Sequence, residues 1–502
     1  MNQHPQVKQQ APDDRRASGD VLRLADRLRA RIGADKVLTD PAQLRTYECD
    51  GLAAYRVRPG VVVLAADRDD VVTTVRLCAE AAVPFVARGS GTGLSGGAMP
   101  VADGVLIVLS RLRRIVSVDP DNARVVVEPG VINLWVTREA APHGQAYAPD
   151  PSSQQVCSIG GNIAENAGGA HCLKYGFTVN HVMGAEVVLP DGEVVHLGGT
   201  APEHPGLDLL GAFVGSEGTL GVATRITLRT IQAPESVQTM LVGFHTVHDA
   251  AGTVSDIIAS GILPAAIEMM DALAIEAAEA AVRCGYPPGA VAVLVIELDG
   301  PRVEVDEQFR QVRGIAEARH AFETRIARDD AERALMWKGR KSAFAAVGRI
   351  SPAYYVQDGV IPRTRLPEIL DEIGRLADEA QLRVANVFHA GDGNLHPLIL
   401  FDDAAPGAMA DAERLGFAIL DACIDAGGSI TGEHGVGFEK KSKMARQFTA
   451  EDLDTMQLVR CAFDPGGLAN PGKLFPTPRL CGERPGARTA EDAPDPAFGE
   501  VF

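Results

Sequence analysis

The chain has 502 residues, 46% of them hydrophobic and 23% charged, with a formal net charge of −18. That length calls for two or more domains with substantial cores, and the composition is that of a globular enzyme. The acidic balance argues against nucleic acid and anionic membrane surfaces as direct partners. No apolar run approaches the roughly 20 residues that a bilayer span needs, so no direct membrane span is expected. The polar segment 1–20 has no apolar signal-peptide core.

Hydrophobic periodicity lays out the elements in chain order. Residues 1–19 read as a disordered tail. Residues 20–48 read as two short helices and a loop. A β-α-β unit follows: a strand over 60–66, a helix over 69–82 and a strand over 83–87. The glycine-rich segment Arg88-Gly89-Ser90-Gly91-Thr92-Gly93-Leu94-Ser95-Gly96-Gly97 comes directly after it. Strands over 105–110, 115–118 and 124–128 and a helix over 131–140 lead to a second glycine-rich loop, 158–169. A hairpin over 184–197 turns at Asp191-Gly192. A third loop, Gly215-Ser216-Glu217-Gly218-Thr219-Leu220-Gly221, feeds a strand ending near Thr230.

Gln232-Ala233-Pro234-Glu235 marks a domain boundary. Beyond it, strands over 239–244 and 291–298 alternate with helices over 248–260 and 269–283, the pattern of an α+β cap. A helix over 411–427 and one more helix precede Asn470. The expected division is a tail (1–19), a first domain (20–232), a cap (233–410), a closing segment (411–476) and a disordered tail rich in Pro, Gly and charge (477–502).

The most informative stretch is His389-Ala390-Gly391-Asp392-Gly393-Asn394-Leu395-His396. Two imidazoles bracket a tight turn between apolar runs, and Asp-Gly is a strong hairpin signal. A hairpin register can bring both rings to one face, within reach of one ion. Gly432-Glu433-His434-Gly435 adds a carboxylate and a spare histidine. Two histidines and a glutamate suit zinc, manganese or iron(II). A histidine pair beside a turn also fits a structural role, and the spacing matches neither zinc fingers nor zincins. Asp392 is expected to orient a histidine rather than to ligate.

Gly91-x-Gly93-x-x-Gly96 matches the dinucleotide fingerprint. That fingerprint requires a helix immediately afterwards, with its N-terminus at the pyrophosphate. Here the next element is the strand over 105–110, which argues against NAD on a Rossmann fold. Three glycine-rich loops that turn backbone N–H groups inward suit one long groove for a cofactor with a pyrophosphate and a fused ring. The eight cysteines (Cys49, Cys78, Cys157, Cys172, Cys284, Cys423, Cys461, Cys481) contain no C-x-x-C. Neither a disulfide scaffold nor an iron–sulfur cluster is expected, so electrons would have to leave to an external acceptor.

The three loops, with Pro149-Asp150-Pro151-Ser152-Ser153, resemble the PCMH-type FAD-binding domain of the vanillyl-alcohol oxidase superfamily. The His389–His396 hairpin and the Glu433 turn are similar to its D-2-hydroxy-acid dehydrogenase branch. Segments beginning at Tyr47, Trp337 and Val347 resemble the FAD-linked subunits of bacterial glycolate oxidases. The likeness covers roughly residues 38–475. It implies an α+β fold: a PCMH-type FAD domain of two α+β subdomains, an α+β cap with an antiparallel sheet covered by helices, and a C-terminal helical segment returning to the FAD domain.

The resemblance also implies site residues. Arg88, Gly89, Ser90, Gly91, Thr92, Gly93 and Ser95 would hold the FAD pyrophosphate. Asp150, Ser153, Gly160, Gly161, Asn162 and Asn166 would line the cofactor, Glu217 and Gly218 would flank its adenosine side, and Asn470 belongs to the C-terminal strap. Some relatives attach flavin through a histidine in the first loop; Thr92 stands there in this chain, which implies non-covalent FAD. His389, His396 and Glu433 would hold a divalent metal, with His434 as the catalytic base. Arg340, then Arg349, would bind the substrate carboxylate. Val356, where dicarboxylate-specific relatives carry a lysine, implies a small monocarboxylate such as glycolate or D-lactate. Flavin-fold and iron–sulfur partner subunits are implied, with a cytoplasmic location peripheral to the inner membrane through them. The competing readings are an NAD dehydrogenase, a D-lactate or D-2-hydroxyglutarate dehydrogenase acting alone, and a subunit that binds FAD without chemistry.

Overall fold

A computed structural model describes residues 19–201 and 206–476. The expected tails therefore fall almost wholly outside the described residues. The first sheet has four strands in the order Val37–Leu38, Val61–Leu64, Val105–Val108, Phe85–Arg88. The last three are parallel and the first is antiparallel to its neighbour. Parallel pairing requires a crossover. The helix Arg68–Ala81 provides it, capped by the Asp67 carboxylate at its start and by Ala82 in left-handed geometry at its end. Helix Gly19–Ile32 packs on the same layer through Val21, Leu24 and Leu28. The short strand Val37–Leu38 was not anticipated within residues 20–48.

The second sheet is antiparallel, in the order Ile115–Asp119, Arg124–Val127, Val222–Arg229, Val182–Val188, Val194–Gly198. Helices Asn133–Ala140 and Ile159–Glu165 pack on it through Val136, Ile159 and Ile163. The second glycine segment is thus not all loop. Ser158 caps a helix over Ile159–Glu165, its Oγ accepting from Gly161 N at 3.3 Å. The paired glycines hide this helix from propensity reasoning, since glycine costs helix stability. Gly160 is required by packing: a Cβ there would sit 2.6 Å from the Cβ of Pro129.

The third sheet has eight strands and is antiparallel. Its main path runs Glu323–Ile326, Ser236–Phe244, Ala292–Gly300, Ala266–Asp271, Arg383–His389, Asn394–Phe401, Ala353–Val356, and Gly359–Val360 pairs off that path with Asn394–Phe401. One face packs under helices Val247–Ala259, Arg302–Ala318, Leu366–Ala380 and Ala408–Asp425. The other packs under Ala272–Val282 and Asp330–Ala346. Both faces are buried, so the strands read as continuous apolar runs. This is why 269–283 resembled one helix: Met269 to Asp271 belong to the strand Ala266–Asp271, and the helix begins at Ala272.

The chain ends by returning to the first sheet, where Ala469 bridges Phe85 in parallel and Asn470 N donates to Phe85 O at 2.8 Å. As expected, no helix follows the 91–96 fingerprint before the strand Val105–Val108. Cys49, Cys78, Cys157, Cys172, Cys284 and Cys423 are free thiols, and Cys461 is disulfide-bonded.

Candidate active site

Period-2 alternation along the third sheet sets the site. Val387 and His389 point to the face under helix Asp330–Ala346, as do His396 and Leu398. The register pairs Val387 with His396 and His389 with Asn394, which makes the two histidines diagonal neighbours. Their ring centroids are 5.1 Å apart. Gly393 allows the tight turn: its φ is +80°, and a Cβ there would meet Ile361 O at 2.2 Å.

Glu433 arrives from the closing segment and completes the cluster. His389 Nε2 lies 3.2 Å and His396 Nε2 3.1 Å from its Oε1. All three ligand atoms lie within 4.8 Å of one another. The second nitrogen of His389, Nδ1, faces Glu268 Oε1 at 2.8 Å, its direct cross-strand partner. Burial opposes charge on His389, but Glu268 and Glu433 outweigh it and raise the imidazole well above its ordinary value. Burial alone would raise Glu433; His389 and His396 hold it well below the carboxylate range. His434 stacks on His396 with centroids 4.8 Å apart. Burial, aided by His396 and Lys440 against Asp358 and Glu433, lowers His434 to about 4, so its ring is neutral near pH 7.

The turn bearing Glu433 and His434 is built around Asp358, a fully buried carboxylate. Its Oδ2 accepts from Thr431 Oγ1 (2.6 Å), Gly432 N (3.1 Å), His434 N (2.8 Å) and Lys440 Nζ (3.3 Å). Glu433 N lies 3.3 Å from either oxygen. Beyond the turn, Glu217 accepts from Val436 N (2.7 Å) and Gly437 N (2.6 Å).

His396, Glu433 and His434 line a cavity of about 410 Å3, as do Lys341, Phe344 and Tyr354. The rest of the wall comes from all three glycine segments. Gly89, Ser90, Gly91, Thr92, Gly93, Ser153, Gly160, Gly161, Asn162, Glu217 and Gly218 line it. An added Cβ would meet only ordinary van der Waals neighbours at Gly91, Gly93 and Gly218, at 3.4, 3.7 and 3.8 Å. Ser216 also lines the cavity, and its buried Oγ has no hydrogen-bond partner among the described residues. A glycine-rich wall with an orphaned hydroxyl fits a large anionic cofactor.

Five expected cofactor residues stand behind that wall. Arg88 chelates Ala98 O with Nε and Nη2 (3.0 and 2.7 Å), bracing the first loop from within. Ser95 O accepts from Phe438 N and Glu439 N. Asn166 caps its helix, and its Oδ1 accepts from Val179 N. Asn470 Nδ2 donates to Gly97 O (2.8 Å) and Glu217 O (2.6 Å), tying two glycine loops together. Asp150 pairs with His171 (3.0 Å) and Lys341 (3.3 Å).

Neither expected substrate arginine lines the cavity. Arg340 is 2% exposed and its Nη2 lies 2.6 Å from Glu268 Oε2. Arg349 is exposed on the 3-10 turn Val347–Arg349. The cation that faces the cavity is Lys341, one residue beyond Arg340. Val356 is packed in the core, and Tyr354, two residues earlier on the same face, reaches the wall. Asp392 does not orient a histidine: its Oδ1 accepts from Asn394 N at 3.2 Å, a turn contact, and Glu268 holds His389 instead.

Comparison with known proteins agrees with this layout. Residues 59–198 match the family model described as FAD binding domain, and residues 233–474 match FAD linked oxidases, C-terminal domain. The chain is 50% identical over 456 residues to "Glycolate oxidase subunit GlcD" of Escherichia coli (strain K12), covering 91% of each chain. It is 31% identical over 453 residues to "D-lactate dehydrogenase" of Anaerostipes hadrus, covering 88% of this chain and 95% of that protein. The fold is that of p-cresol methylhydroxylase with substrate bound: TM-score 0.77, 17% identity, 91% of this chain and 97% of that one. A cavity walled by three glycine segments, closed by a histidine-bearing cap and matched along both halves, places this chain among the FAD-linked oxidases with the PCMH-type FAD-binding fold.

Proposed function

We propose that this enzyme oxidises a small 2-hydroxy acid, glycolate or D-lactate, to the 2-oxo acid and passes the electrons through FAD to a separate acceptor. The observation that carries this reading is the convergence of His389, His396 and Glu433 beside a neutral His434 on the cofactor cavity. The names of the relatives, a glycolate oxidase subunit and a D-lactate dehydrogenase, support the same substrate class.

Oxidising an α-hydroxy acid removes a hydroxyl proton and two electrons with the carbon-bound hydrogen. His434, neutral near pH 7, accepts the hydroxyl proton at a ring nitrogen. Asp358 fixes that ring by holding the backbone on both sides of Glu433. Lys341, which lines the cavity and pairs with Asp150 at 3.3 Å, would offer its ammonium to the substrate carboxylate. Phe344 and Tyr354 line the same cavity. His389, His396 and Glu433 are the residues that would hold zinc, manganese or iron(II), a Lewis acid for the hydroxyl and carboxylate oxygens. Bound FAD supplies the two-electron acceptor, held by the glycine segments without a covalent link at Thr92.

The FAD domain is taken as 20–232, the cap as 233–410 and the closing segment as 411–476. Electron exit calls for a partner, proposed as an iron–sulfur subunit beside a flavin-fold subunit; the word "subunit" in the name of the Escherichia coli relative supports an assembly. No helix among the described residues is long and apolar enough to cross a membrane. A cytoplasmic enzyme, peripheral to the inner membrane through its partners, fits that reading. The test is anaerobic titration of the oxidised flavin with glycolate, D-lactate and 2-hydroxyglutarate, without NAD. Bleaching by the first two is expected; no bleaching by any 2-hydroxy acid overturns the proposal.

A further inference from the structure

Glu165 is the last residue of the helix Ile159–Glu165 and lines the cofactor cavity. Its Oε1 lies against Gly97, 2.4 Å from where a Cβ would stand. Its Oε2 is enclosed and has no hydrogen-bond partner among the described residues. That oxygen and Glu217 Oε1 flank the same point beside Gly435, 2.3 and 2.8 Å from the position of its absent Cβ. Two carboxylates thus share one small buried space, and they cannot both ionise cheaply.

The surroundings decide which of them keeps a proton. Burial raises Glu217 as well, but Glu217 receives two backbone N–H groups, from Val436 and Gly437, and both stabilise its anion. Glu165 receives none. Asp50 adds a further negative charge nearby. Lys440 and Lys473 act the other way, but each ammonium is engaged elsewhere. Lys440 Nζ bonds Asp358 Oδ2 (3.3 Å) and Gly435 O (3.1 Å), and Lys473 Nζ bonds Met99 O and Asn470 Oδ1 (2.9 Å each). Burial first and Glu217 second raise Glu165 well above the carboxylate range.

We propose that Glu165 is a neutral carboxylic acid that donates an O–H hydrogen bond to the bound flavin cofactor from Oε1, the oxygen beside the cavity-lining Gly93 and Gly97, with Glu217 as the ionised neighbour that keeps it protonated. The inference rests on FAD occupying this cavity and adds a residue that neither the motifs nor the fold assigned. An acid in this place gives the cofactor a donor without adding a second negative charge to the wall.

The test compares FAD-loaded wild type, Glu165→Gln and Glu165→Ala by infrared spectroscopy near neutral pH in H2O and D2O, with FAD affinity measured by titration of the apoproteins. The wild type should show a protonated-carboxyl C=O band that shifts in D2O and is missing from Glu165→Gln. FAD affinity should hold within about twofold in Glu165→Gln, whose amide keeps a donor, and fall about tenfold in Glu165→Ala. An FAD-loaded wild type without that band, or Glu165→Gln retaining it, overturns the proton's placement and leaves the cofactor assignment standing. Glu165→Gln losing FAD as far as Glu165→Ala overturns the donor role. A wild-type apoprotein that takes up no FAD overturns the cofactor reading together with this one.

Discussion

Asp358→Asn is the most discriminating single change. The carboxylate is fully buried and serves four successive residues of the catalytic turn, Thr431 to His434, together with Lys440. Burial raises its pKa, but His434, Lys440 and His396 outweigh that and hold it below the carboxylate range, so the native group is an anion. Asparagine keeps the shape and removes the charge. It also turns an N–H2 group toward backbone donors that need an acceptor. Lys440, itself fully buried, loses its counter-charge. Breaking a buried pair by removing one partner costs about 3–5 kcal/mol, and the lost hydrogen bonds overlap with that figure rather than add to it.

For a domain of roughly 200 residues, about 4 kcal/mol corresponds to a fall of about 8–15 °C in melting temperature. The assay is thermal melting followed by circular dichroism, on Asp358→Asn, Lys440→Met and the double variant. The double variant should regain about 2 kcal/mol relative to the sum of the single changes, since no unpaired charge is left behind. Activity should fall in both variants that lack Asp358, because His434 is no longer held. A melting temperature for Asp358→Asn within 2–3 °C of the parent, equivalent to about 1 kcal/mol, would refute the argument that this carboxylate organises the turn.

Glu268→Gln should lower divalent-metal affinity about 10- to 100-fold while FAD content is unchanged, because it replaces the charged acceptor of His389 Nδ1 with a neutral amide oxygen; elemental analysis set against flavin absorbance checks this. His389→Ala and Glu433→Ala should reduce bound metal to background in the same assay. Burial pulls His171 down, but Asp150 and then Glu297 raise it to about 10. Its charge therefore stabilises the fold fully below the unfolded value near 6.5 and the effect is lost as pH rises through about 10. The gap in melting temperature between wild type and His171→Gln should close over that window, and a gap independent of pH would count against it. Acid precipitation should leave the flavin in the supernatant, as expected with Thr92 where a histidine would be needed for attachment; a coloured pellet would show a covalent link elsewhere.

Much of this architecture is written locally. The Asp392-Gly393 turn and the alternating apolar residues around it predict a hairpin, and the pairing of Val387 with His396 is the register that brings the rings to one face. The missing helix after Gly96 separates this cofactor groove from a Rossmann site before any coordinates are seen. What the sequence hides are partners fixed by long-range register. Glu268 sits in an apolar strand 121 residues before His389, and only antiparallel pairing makes them neighbours. Asp358 follows a short strand and bears no motif; its role appears when the closing segment folds over it. Arg340 is implied as a substrate ligand by the resemblance of the segment around Trp337, and no motif shows that its partner is Glu268 on a distant strand.

Charge accounting within the cluster gives these hidden partners a common meaning. Glu268 is matched by Arg340 at 2.6 Å, and Asp358 by Lys440 at 3.3 Å. Both cations are buried to 2% or less, so they neutralise the framework and offer little to a ligand. Glu433 has no lysine or arginine paired with it among the described residues, and its Oε1 lies 3.2 and 3.1 Å from the Nε2 atoms of His389 and His396. Two imidazoles around one anion demand a positive charge at their centre, supplied either by a proton on His389 or by a metal cation. A divalent cation satisfies both rings in their neutral form and leaves a surplus of positive charge. That surplus would face the cavity that Lys341 and His434 line. The framework therefore uses its arginine and one lysine to neutralise the acids, so under the proposed function the attraction for an anionic substrate would come from a cation held by His389, His396 and Glu433, with Lys341 shared between the cavity and Asp150.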